Sequence, residues 1–215
     1  KNITSKAVDS LDQIAGVSPS DITSSLKEIT SGATSALDQI EVSDYSASDL
    51  GEMVQEISSG ATQALGNIKI DGISSDNLSS MMEKVTAGAT GALGQISMEG
   101  YSSSNLTTML SKITSGATSA LGDIEMEGYS SNNLSLMVEK ITAGATSALD
   151  EIKLEGFSSE NLSSMVQEIT SGATGALDDI EMAGFDPSTD VFSMTEKVIL
   201  GTTGALSEIE MEGYD

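Results

Sequence analysis

Two stretches concentrate the groups that could do chemistry. One is "DIEMEG", with Asp123, Glu125 and Glu127; the other is "DEIKLEG", with Asp150, Glu151 and Glu155. Closely spaced carboxylates could coordinate a hard cation such as calcium or act as the paired acid and base of glycoside hydrolysis. The D-x-D-x-D-G calcium loop is absent, so the clusters read as a calcium-binding rim or, more simply, as a solvated acidic edge. A hydrolase is disfavoured because every one of these acids is one copy of a repeating motif, which an active site does not require.

Little other chemical equipment is present. The chain of 215 residues has 33 Asp and Glu against 9 Lys, lacks Arg, His, Cys and Trp, and carries a net charge of -24. Without imidazole or thiol there is no ordinary general base, thiol nucleophile or zinc site. So negative a surface repels nucleic acid and anionic lipid, both of which are bound through Lys and Arg. No apolar run is long enough to span a bilayer, so direct membrane insertion is not expected. High acidity with abundant Ser, Thr, Gly and Ala suggests an extracellular or cell-surface protein whose signal peptide has been removed.

A period of 28 residues organises the chain. Gly32, Gly60, Gly88, Gly116, Gly144 and Gly172 follow one another at that interval, and Gly201 follows one residue later than the rule. Seven units result, 18-45, 46-73, 74-101, 102-129, 130-157, 158-185 and 186-214, after a partial unit 1-17. Such regularity marks a tandem array in which no unit buries its apolar face alone.

Within unit 130-157, Leu134, Met137, Val138, Ile141, Ala145, Ala148, Leu149 and Ile152 recur at helical spacing. They fall on a stripe roughly 120° wide. The stripe keeps phase through Gly144, so each unit is expected to be one helix of about 20 residues opened by a Ser N-cap such as Ser130. The expected fold is therefore mainly α, a solenoid-like array of about seven single-helix repeats. The end of the unit, "IKLEGF", fits a helix cap with Gly156 in the turn and Phe157 folded back. It also fits a short strand, which would give an α/β helix-strand solenoid with a parallel ladder. That ladder would stack Asp71, Glu99, Glu127 and Glu155 in one like-charged row, which disfavours it.

The recurring glycine sits at the edge of the buried stripe. It reads as a notch for close helix packing, since "SGAT" lacks the Lys of a phosphate-binding loop. Met53, Met81, Met109, Met137, Met165 and Met194 share one position inside the stripe and read as core filling. Asn2, Asn77, Asn105, Asn133 and Asn161 begin N-x-S/T triplets. These are glycosylation acceptors in a secreted protein, or helix first-turn residues that need no glycan.

The last unit differs from the rest. Val191, Phe192, Ile199 and Leu200 make it more apolar than a capping repeat should be, which points to an interface with another domain or a second copy. The resulting expectation is a non-enzymatic extracellular structural or interaction protein. It would serve as a filament subunit, stalk, surface-layer or adhesive element, associate with itself or another surface protein, and possess the means to assemble head to tail. A ligand- or calcium-binding module is the alternative.

Overall fold

The structure, a computed structural model, describes residues 2-14, 17-40, 45-68, 73-96, 102-124, 130-152, 158-180, 187-207 and 209. Each unit contributes one helix: α1 (Asn2–Asp9), α2 (Pro19–Ser35), α3 (Ala47–Leu65), α4 (Ser75–Leu93), α5 (Ser103–Ser119), α6 (Ser131–Ser147), α7 (Ser159–Gly175) and α8 (Pro187–Leu206). The glycines lie inside these helices, as the unbroken stripe implies. No strand occurs among the described residues, so the helix-strand alternative is not supported. Gly156, Phe157 and their counterparts in other units lie outside the described residues, and the expected cap with them. What is described is a tightening of the last turn. After α6 comes a 3-10 turn over Ala148–Glu151, and Ile152 then leaves the helical region at φ -91°, ψ 88°.

The starts of the helices follow from local chemistry. Ser18, Ser46, Ser74, Ser102, Ser130 and Ser158 are extended N-cap residues, each paired with a side chain three positions on. In α4 the Ser74 N–H donates to Asn77 Oδ1 at 3.0 Å and the Asn77 N–H donates to Ser74 Oγ at 3.2 Å. This reciprocal box satisfies two of the N–H groups that a helix start leaves without partners.

Packing then departs from simple single file. The most extensive contacts join helices two apart in sequence: α1 with α3, α3 with α5, α5 with α7, and likewise α2, α4, α6 and α8. Odd and even helices thus form two layers. Within a layer the helices are parallel, because contacts keep the same order along both partners: Gln55 and Ser58 of α3 face Gly116 of α5, while Gln63 beyond them in α3 bonds Asp123 just after α5. Between layers they are antiparallel. One core joins the N-terminal halves of even helices (Leu78, Met82, Leu134, Met194) to the C-terminal halves of odd ones (Leu65, Leu121, Leu177). The other core reverses the pairing, joining Leu50, Leu110 and Met165 to Leu93 and Leu149. Met81, Met109, Met137, Met165 and Met194 are buried, as core filling requires.

The glycine column makes this arrangement possible. A Cβ built on Gly116 would lie 2.6 Å from the Gln55 carbonyl oxygen of α3, and one on Gly144 would lie 2.6 Å from Thr86 Oγ1 of α4. Gly88, Gly172 and Gly201 meet the corresponding carbonyls of Lys27, Ser111 and Glu139 even more closely. No side chain fits there, so backbone lies directly against backbone. At two of these joints a threonine completes the contact: Thr86 Oγ1 donates to the Ile141 carbonyl at 2.9 Å, and Thr142 Oγ1 to the Val198 carbonyl at 3.4 Å. Gly32 is the contrasting case, with nothing within 4 Å.

This contrast separates packing from helix propensity. Gly144→Ala should destabilise by about 2 kcal/mol or more, because overpacking outweighs the gain in propensity. Gly32→Ala should stabilise by roughly 0.5–1 kcal/mol. Urea denaturation of the two variants checks this, and similar shifts in the two would refute the notch.

Candidate functional site

The layered fold decides which of the singled-out residues meet. Units alternate in direction, so the ends of successive helices lie at opposite edges of the array. Asp123 follows α5 beside the first core, and Asp150 and Glu151 follow α6 beside the second. The two carboxylate clusters are therefore not brought together. Asp123 instead accepts a short hydrogen bond from the Gln63 amide. Glu151 lies over the bare surface of Gly91 in α4 and reaches Lys27 of α2 at 2.8 Å. Glu125, Glu127 and Glu155 lie outside the described residues. Among the described residues no group of three or more carboxylates is close enough to hold a metal ion.

Carboxylates also act as joints. Lys140 of α6 pairs with Glu83 of α4 at 2.8 Å, and Lys197 of α8 with Glu139 of α6 at 2.7 Å. In each pair the residue four before one glycine meets the residue five before the glycine two units earlier. Both partners are partly exposed, so each pair contributes at most about 1 kcal/mol and serves mainly to fix register. A signal for these pairs exists in the sequence, as Lys and Glu recurring at fixed offsets two units apart.

The four asparagines Asn77, Asn105, Asn133 and Asn161 are the third helical residues of α4 to α7, their Oδ1 atoms bound to the capping serines. First-turn chemistry accounts for them. The side chain of Asn2 lies outside the described residues. In α8, Val191 packs against the first core. Phe192, Ile199 and Leu200 are exposed by 76%, 51% and 47%. With Glu196 and Thr203, these residues form the face that in earlier even helices receives the next helix of the layer.

Two features escaped the sequence reading. Thr34, Thr62, Thr90, Thr118 and Thr146, each two residues after its glycine, have buried hydroxyls with no hydrogen-bond partner in the protein. Thr174 and Thr203, in helices that no later helix covers, bond their own Thr170 and Ile199 carbonyls at 2.7 Å. The second feature is a groove of about 760 Å³ between α1, the end of α2 and the start of α3. Its floor is apolar (Ile3, Leu37, Met53, Ile57) and its rim acidic (Asp49, Glu52, Glu56).

Electrostatics distinguish the helix starts. The caps of α2 and α3 use Asp21 and Asp49, whose carboxyls are lowered below the usual range by hydrogen bonds from the Ser18 and Ser46 side chains and backbones. The caps of α4 to α7 use Asn and do not titrate. The chain matches no known protein-family model and no curated protein.

Two outcomes follow. A carboxyl with a depressed folded pKa contributes stability above its unfolded pKa and loses it as pH falls through the folded value. Below about pH 4, the first turns of α2 and α3 should therefore fray before those of α4 to α7, read from backbone ¹³C shifts; Asp21→Asn with Asp49→Asn should remove the difference. Thr118→Val should raise unfolding free energy by about 1 kcal/mol, because it removes an unpaired buried hydroxyl at constant shape.

Proposed function

We propose that the chain is a non-enzymatic structural or interaction array acting outside the cell, as a spacer, surface-layer or adhesive element or filament subunit. The observation that carries this reading is the joint itself. The same glycine contact recurs from Gly88 to Gly201, so length and a uniform surface are what the repetition supplies. Two-layer packing advances one interhelix distance per two units, which makes a short, thick, stiff body rather than a thin thread.

Growth by head-to-tail contact would use the exposed face of α8 and the open notch at Gly32 of α2. Ile199 would fill the notch, but Glu196 would face Glu28 where two of the internal joints place Lys against Glu. Such assembly must overcome like charge at the joint and a net charge of -24 on each copy. Calcium, the basis of the alternative binding-module reading, would relieve the same repulsion by coordination rather than by screening.

Sedimentation velocity distinguishes these cases. Head-to-tail assembly should appear as the ionic strength rises to about 0.5 M, grow with protein concentration and be lost in Leu200→Glu. Millimolar calcium that assembles or thermally stabilises the chain, where potassium at matched ionic strength does not, would favour the binding module. A monomer under all conditions removes the filament reading and leaves the spacer.

A further inference from the structure

Ion pairs between neighbouring even helices follow one register, and the joint of α2 with α4 breaks it. Where the Glu83 carbonyl meets Gly144, the Glu83 side chain pairs with Lys140; where the Glu139 carbonyl meets Gly201, Glu139 pairs with Lys197. Between α2 and α4 the Lys27 carbonyl meets Gly88, and the residue four before that glycine is Lys84. Two cations therefore hold the positions that the other two joints give to an anion and a cation. Lys84 turns to its own neighbour Glu83 at 3.6 Å, and Lys27 reaches Glu151, 124 residues later, at 2.8 Å.

A second register explains how Glu151 arrives there. Ser35 Oγ donates to Gln95 Oε1 at 3.0 Å, and the Gln63 amide donates to Asp123. In both, the residue three after a glycine holds the residue seven after the glycine two units later. Gly91 and Glu151 are the next pair in this series, and Gly91 has no side chain to offer. A Cβ there would lie 3.0 Å from Glu151 Cδ, so the carboxylate occupies the space that a side chain would fill. From that place it crosses the exposed side of α4 to α2. We propose that Glu151 is an electrostatic strap over α4, which offsets the repulsion between Lys27 and Lys84 and ties α2, α4 and α6 into one unit. Without it, two ammonium groups would share a joint with Glu83 alone, and Lys140 already engages Glu83. This inference requires the fold alone and is independent of the proposed filament or spacer role.

Amide hydrogen exchange at neutral pH tests it, with α8 as the internal reference. Glu151→Gln should speed exchange in α2 by roughly two- to fivefold and leave α8 unchanged. Gly91→Ala should do the same, because its methyl group displaces the carboxylate, even though alanine favours the helix. Lys27→Glu should place a Glu–Lys pair at the joint of α2 with α4, like those at the other two, and remove the need for the strap. In that background Glu151→Gln should not speed exchange in α2. Equal acceleration in both backgrounds would show that Glu151 acts other than through Lys27, which overturns the strap. No acceleration in the native background, or faster exchange in α2 and α8 alike, overturns it as well. An unchanged α2 in Gly91→Ala overturns the part assigned to the bare glycine.

Discussion

The approach of one helix backbone to another at the glycine column is the constraint on which the rest depends. Where a methyl group would strike the carbonyl of Glu83 or Ser111, the helices two units apart can touch only because the side chain is absent. Close approach in turn aligns the threonine hydroxyl with a carbonyl of the neighbouring helix, as Thr86 does with Ile141, and brings Lys140 within reach of Glu83. The glycine's cost in helix propensity is about 1 kcal/mol per unit. It is offset by dispersion contacts and apolar burial along two continuous cores that a wider spacing would open to water.

Division of labour within a unit follows from that joint. The half before the glycine supplies large side chains, Leu134, Met137, Val138 and Ile141. The half after it supplies small ones, Ala145 and Ala148, before closing with Leu149 and Ile152. Antiparallel layers then place bulky halves against small halves at both edges, so one sequence motif fills two cores without redesign. The buried threonines at Thr34 to Thr146 are the imperfect part of this economy, because a hydroxyl is enclosed between layer neighbours without an acceptor.

Much of this was legible in the sequence. The helix, its serine cap, the methionine core position and the glycine notch are local or periodic features, read directly from spacing and side-chain size. The layering was not legible, because the sequence repeats every 28 residues while its closest packing partners recur at every second unit. Alternation of direction goes with the capped-helix reading of the unit's end, in which a short turn reverses the chain, and the connections themselves lie outside the described residues. The same alternation explains why the acidic clusters at Asp123 and Glu151 were grouped by sequence and parted by the fold. The exposed apolar residues Phe192, Ile199 and Leu200 were found because they break the repeat, and only Val191 of that group is drawn into the core.

Two-layer packing through the glycine joints has a size that solution scattering measures directly. Small-angle X-ray scattering of dilute chain at low ionic strength should give a radius of gyration of about 18 Å, near the compact value for this length, because four helices per layer span roughly 40 Å. A single-file array of eight helices would span roughly 75 Å at the same interhelix distance. A radius of gyration of about 24 Å or more would contradict the layered joint.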